Sequence, residues 1–160
     1  RTFYHVWDSI VTKENNIIKV NLLMNRASQW LDVASFLPVE GKVELHIKKA
    51  EKVAVRLPQW CDPGTVNVKI NGKACNANTK GRYLHLSLLK SDDKVEINFE
   101  LPTKVVHRVI SGKPYKLTVT GNTVMDIDPK GVAYPLYINP PTGKLVEKIR
   151  FVPDKSDVIW

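Results

Sequence analysis

VAVRLPQWCDPGTVNVKINGKACNANTKGRYLHLSLLKSDDKVEINFEL, residues 53–101, alternates apolar and polar side chains in four separate runs. Val53, Val55 and Leu57 flank Ala54 and Arg56. Val66, Val68 and Ile70 flank Asn67 and Lys69. Leu84, Leu86 and Leu88 flank His85 and Ser87. Val95, Ile97, Phe99 and Leu101 flank Glu96, Asn98 and Glu100. A period of two sends successive side chains to opposite faces of a strand. Four such runs separated by turn residues predict antiparallel strands with one buried face. The expected fold is therefore all-β: an antiparallel β-sandwich with an irregular C-terminal extension.

Turn chemistry supports this division. Asn71-Gly72 sits between Val66–Ile70 and Lys73–Cys75, and Asn-Gly supplies the two positive φ angles of a type I′ hairpin turn. Lys80-Gly81 and Ser91-Asp92-Asp93 mark the next two turns. Upstream, residues 3–13 read as a weak first strand, followed by a turn at Asn15-Asn16. Ile18, Val20, Leu22 and Met24 share one face of the next. Trp30–Leu37 carries large apolar residues on both faces and stops at Pro38. Glu40-Gly41 leads into Val43, Leu45 and Ile47. Downstream, the register of the last run continues to about Ile110, with further strands at Leu117–Val119 and Asn122–Ile127 and a turn at 128–131. The tail carries Pro140, Pro141 and Pro153, with Phe151 and Trp160 as apolar anchors. The expected organisation is an N-terminal segment at 1–15, a sandwich domain at 16–138 and a tail at 139–160.

The 160 residues, 43% of them hydrophobic, suit one domain with a real core and an extension. No apolar run reaches the length of a membrane-crossing helix. The first residue is Arg1, so the chain is expected to be processed or part of something longer. The net charge of +8 permits anionic partners. Yet Lys42, Lys48, Lys69 and Lys94 lie in or beside strands among Glu44, Glu96 and Glu100, the pattern of a mixed solvated face. Binders of single-stranded nucleic acid add a groove of stacking aromatics, and none is legible. Nucleic acid and membrane are not expected partners.

The polar residues form no catalytic pattern. Cys61 and Cys75 are too few for a disulfide framework or a Cys-based zinc site. Free buried thiols and one disulfide both remain open. The four histidines do not cluster: His46, His85 and His107 fall on strands, His5 is unplaced, and no HExxH spacing exists. Asp126-x-Asp128 before Gly131 resembles the start of an EF-hand loop. It fails where Lys130 stands at the fifth position and Tyr137 at the twelfth. No nucleophile elbow or phosphate loop is present, and sixteen acidic residues make any single carboxylate pair uninformative. No cofactor and no metal ligand is expected. The aromatics offer the one legible ligand surface. Trp7, Trp30, Trp60 and Tyr83 are the candidate carbohydrate-binding residues, each with a structural reading as a core or interface anchor.

Four segments in fixed order carry a resemblance. VNLLMNRASQWLDVASFLPVEGKVELHI is followed by VAVRLPQWC, VNVKINGK and GRYLHLSLLKSDDKVEINFELP, within roughly residues 16–138. The set resembles the C-terminal β region of glycoside hydrolase family 127 proteins, the β-L-arabinofuranosidase-like type. The resemblance implies a parent with a helical (α/α)6 barrel bearing β-sandwich domains. Chemistry in such enzymes belongs to the barrel, through a zinc-bound cysteine nucleophile with further Cys ligands and Glu. The two cysteines of this chain do not match that cluster, so no catalytic residue carries over. What is implied is a non-catalytic accessory region that supports the barrel or oligomerisation. Its partner is then the barrel of the parent or a second copy. The alternative is a carbohydrate-binding module using exposed Trp or Tyr. The parent's sugar and the compartment, cytoplasmic or secreted, stay open.

Overall fold

Asn15 and Asn16 have consecutive positive φ angles of 48° and 64°. They close a tight hairpin between β1 (Val11–Glu14) and β2 (Ile17–Val20). Asn71 and Gly72 do the same, at 50° and 79°, between β6 (Asn67–Ile70) and β7 (Lys73–Cys75). Asparagine tolerates this region because its short polar side chain bonds locally, and glycine because it has no Cβ. The computed structural model describes residues 2–130. The expected tail at 139–160, with Phe151 and Trp160, and the end of the expected domain at 138 lie outside the described residues.

Two five-stranded sheets face one another. The first runs β1-β2-β5-β9-β8, adding β5 (Val53–Arg56), β8 (Asn78–Lys80) and β9 (Tyr83–Leu86). The second runs β3-β4-β10-β6-β7, adding β3 (Leu31–Ser35), β4 (Lys42–Ile47) and β10 (Lys94–Asn98). Register puts the apolar residues in rows, because directly opposed residues share a face. One row of the first sheet is Val11, Val20, Val55 and Leu84; the next is Ile18, Val53 and Leu86. The second sheet answers with Val33, Leu45, Val95 and Ile70, then Val43, Ile97 and Val68. These rows form one core, most of it fully buried.

The structure departs from the alternation in four places. β2 and β5 pair in parallel, the one parallel pair among the described strands, where an antiparallel sandwich was expected. Residues 2–8 form a short helix, α1 (Thr2–Asp8), so the expected first strand begins only at Val11. The register of the last run does not continue to Ile110. It breaks at Pro102, and a third sheet follows with β11 (Thr103–Ile110), β12 (Lys113–Thr120) and β13 (Thr123–Asp128). Finally, Leu88 leaves the pattern of Leu84 and Leu86. It is 90% exposed with φ +61°, and Leu89 enters the core instead.

Gly72 has φ +79° and open space around its missing Cβ. Gly72→Val is therefore expected to cost about 1–3 kcal/mol through backbone strain alone, since a β-branched residue fits this region poorly. Urea unfolding checks it. A variant as stable as the parent would remove the turn assignment.

The outer face of the second sheet explains part of the basic charge. Glu44 and Glu96 stand directly opposite each other, which alone is unfavourable. Lys42 and Lys94 each reach Glu44 at 3.0 Å, and Lys69 reaches Glu96 at 3.7 Å. Burial pushes the Glu44 carboxyl upward, but the hydrogen bonds and the charges of Lys42 and Lys94 together hold it below the ordinary glutamate value. A depressed carboxylate stabilises the fold above its unfolded pKa and loses that contribution as pH falls through the folded one. Stability is thus expected to be flat near neutrality and to fall below pH ~4.5. Thermal unfolding across that range should show a shallower fall in Glu44→Gln. An identical pH profile in that variant would contradict the assignment.

Candidate docking surface

α1 is only seven residues long and presents apolar side chains to solvent. Phe3 is 90% exposed, and Tyr4, Val6 and Trp7 are also exposed. Local bonds define its end: the Ser9 amide donates to the His5 carbonyl at 3.0 Å, and the Ser9 hydroxyl donates to the same oxygen at 2.6 Å. Ile10, fully buried, then anchors the chain in the core. The helix is also held from its side. The Arg26 guanidinium carbon lies 4.4 Å from the centroid of a Trp7 ring, a cation–π stack.

The segment after β2 carries the patch onward. Asn21 donates from Nδ2 to the Ser9 carbonyl and to the Thr12 hydroxyl, both at 3.0 Å. This fastens the chain where it leaves the sheet. Leu22 and Met24, expected on the strand face with Ile18 and Val20, lie beyond the strand and are exposed. Met24 lines both the hollow under α1 and a neighbouring cleft.

That cleft, about 460 Å³, opens between the sandwich and the third sheet. Leu22, Met24, Leu37, Pro58 and Trp60 line it from one side and the β12–β13 turn from the other. Trp60 meets Phe99 edge to face, with ring centroids 5.7 Å apart. Gly121 in the turn has φ +58°, and a Cβ built on it would sit 3.1 Å from two carbons of the indole. A side chain here would have to push the indole back by a few tenths of an ångström, on top of a backbone conformation that favours glycine. The indole N–H of Trp60 is buried without a hydrogen-bond partner among the described residues. Arg56 and Arg82 stand in the lining; no acidic residue does.

The four aromatics named from the sequence do not form one site. Trp7 is on the exposed helix and Trp60 in the cleft. Tyr83 is half-buried at the same end of the sandwich, its hydroxyl 3.4 Å from the Asn21 side-chain oxygen. Trp30 is half-buried at the start of β3, next to the end of β4, where its carbonyl accepts the Lys48 and Lys49 amides at 2.9 Å. Phe3, Leu22 and Met24 were not named, because a seven-residue helix gives no stripe and the end of β2 carries no turn signal. Arg56 and Arg82 were missed because each reads as an ordinary outward residue.

The other polar candidates take structural places. Among the described residues no group of three or more His, Cys, Asp or Glu side chains could hold a metal ion, so the described residues do not fit a zinc–cysteine centre. Cys61 and Cys75 are both free, but of the two expected buried thiols only Cys61 is buried and Cys75 is half-buried. Burial, then the nearby Asp62 charge, push the Cys61 thiol up, away from reactivity. Lys130 pairs with Asp126 at 3.7 Å, as a strand-end turn would have it. No helix among the described residues is long and apolar enough to cross a membrane.

A family model described as "Beta-L-arabinofuranosidase, GH127 middle domain" matches residues 15–103, more than half of the chain. The chain belongs to the GH127 middle-domain family. The matched span runs from the β1–β2 turn to the first residue of β11, so it covers the sandwich strands β2 to β10 and stops where the third sheet starts. Solved structures share the fold. A GH127 β-L-arabinofuranosidase from Geobacillus stearothermophilus T6 aligns at 17% identity and TM-score 0.56, over 72% of this chain and 21% of that one. Another GH127 β-arabinofuranosidase aligns at 16% and 0.57, over 72% and 23%. A structure described as a glycoside hydrolase aligns at 20% and 0.55, over 71% and 22%. The chain thus spans less than a quarter of the length of these structures. No curated protein sequence matches it.

Proposed function

We propose that the chain is a non-catalytic accessory sandwich that docks, by the end bearing α1 and the Trp60 cleft, against the catalytic part of a β-L-arabinofuranosidase-like protein. The observation that carries this is the apolar surface running from Phe3 and Trp7 through Met24 and Leu22 to Trp60. A sandwich that has already filled its core gains nothing by exposing these residues to water. Contiguous apolar surface of this kind marks an interface, and aromatics and Met are enriched at interface centres. The family supports the reading, because a middle domain has other parts to meet, and the related structures are more than four times as long as the aligned region. The sugar-binding alternative has less support: Trp60 lies against Gly121 and Phe99, and Trp30 sits elsewhere.

The non-catalytic part is tested with the purified chain, added zinc and an aryl β-L-arabinofuranoside. No turnover is expected. Reproducible turnover that disappears on mutating a residue of the chain would overturn the proposal.

A further inference from the structure

We propose that the Trp60 cleft takes an acidic, apolar-flanked segment of polypeptide, with its carboxylate held by Arg56 and Arg82. This rests on the docking reading and adds the chemistry of the occupant. Arg56 ends β5, and Arg82 lies in the β8–β9 turn. The Leu57 amide donates to the Arg82 carbonyl at 2.8 Å, so the two stretches are joined side by side. Both side chains are exposed, and neither makes an ion pair among the described residues. Elsewhere on the sandwich Lys19, Lys42, Lys48, Lys69 and Lys94 each meet a carboxylate. Here Arg56 and Arg82 both line the cleft, and no acidic residue lines it. Planar guanidinium is suited to bidentate carboxylate recognition. The rest of the wall is mostly aliphatic: Leu22, Met24, Leu37 and Pro58. Such a wall fits Leu- or Phe-like side chains, whereas a sugar ring would stack on an open aromatic face, and Trp60 is only partly exposed, packed against Phe99 and close to Gly121. The volume of about 460 Å³ suits a few side chains.

The test titrates the 160-residue chain with a capped peptide of alternating Leu and Glu, and with its Leu–Gln counterpart. Heteronuclear NMR follows the Trp60 indole N–H and the arginine Nε–H signals. The Leu–Glu peptide is expected to shift them saturably. Affinity should fall at least about tenfold with the Leu–Gln peptide, and equally in an Arg56→Gln/Arg82→Gln variant, because the lost bonds are charge-assisted. Both side chains are exposed, so the variant should melt as the parent does. Equal binding of the two peptides at Trp60 would overturn the carboxylate assignment while leaving the docking surface standing. Binding that survives in the double variant, or no peptide binding at all, would also overturn it. So would tighter binding of oligogalacturonate than of the Leu–Glu peptide.

Discussion

Gly41→Ala is expected to destabilise the sandwich by about 3 kcal/mol or more, a large share of a small domain's stability. Gly41 does not need a positive φ; it needs the absence of a side chain. A Cβ built there would overlap the Phe99 carbonyl oxygen, approach the Phe99 carbonyl carbon to 3.1 Å and meet the Leu101 side chain at 3.3 Å. The obstacle is backbone, which cannot rotate aside as a flexible side chain would. Nor can the two chains part cheaply, since the Phe99 amide donates to the Gly41 carbonyl at 2.8 Å where β4 and β10 meet. Yielding there would disturb the central pair of the second sheet. Gly72→Ala is the control: its Cβ meets nothing, so only the positive φ costs, about 1 kcal/mol. Urea unfolding of both variants makes the comparison. A Gly41→Ala variant within about 0.5 kcal/mol of the parent would show that this approach is not rigid.

The second large effect separates two leucines that look alike in sequence. Leu84→Ala is expected to cost about 2–5 kcal/mol, the range for a large-to-small change in a close-packed core. Leu84 is 2% exposed and lies in the row with Val55, Val20 and Val11. Leu88→Ala is expected to change stability by less than about 0.5 kcal/mol, because the side chain already stands in water. Comparable losses at both positions, measured by calorimetry or denaturant, would mean that the strand continues through Leu88 after all.

Leu88 also shows where period-two reasoning ends. The run Leu84, Leu86, Leu88 is a strand pattern, but β9 stops at Leu86 and one residue with positive φ shifts the frame by one. Because residue 89 is also leucine, the sequence looks the same in either frame. β5, β6 and β10 were legible because each has one face covered by the opposite sheet, and the Asn71-Gly72 turn because its chemistry is local. The parallel β2–β5 pairing was not legible, since alternation says which face is buried and not which strand lies alongside. Gly41 read as a turn glycine; its actual duty, a backbone contact with Phe99, depends on a strand distant in sequence. At the docking surface, Trp7 and Trp60 stood out as aromatics beside the strands. The helix that exposes Trp7 did not, because seven residues span too few turns to print a stripe. Arg56 and Arg82, far apart in sequence, are brought to one end of the sheet by the β5–β9 pairing, in which Arg56 stands opposite Tyr83.

The central claim, that the α1 and Trp60 end is a docking face and not a sugar platform, is tested most directly by sedimentation. The chain is run at several concentrations, with and without arabinose-containing oligosaccharides, beside a Phe3→Ser/Trp7→Ser variant. The account predicts that the chain alone self-associates through its uncovered face, that the variant stays monomeric, and that the oligosaccharides change nothing. A strict monomer that binds the oligosaccharide, and loses that binding when Trp7 or Trp60 is changed to Ala, would contradict it.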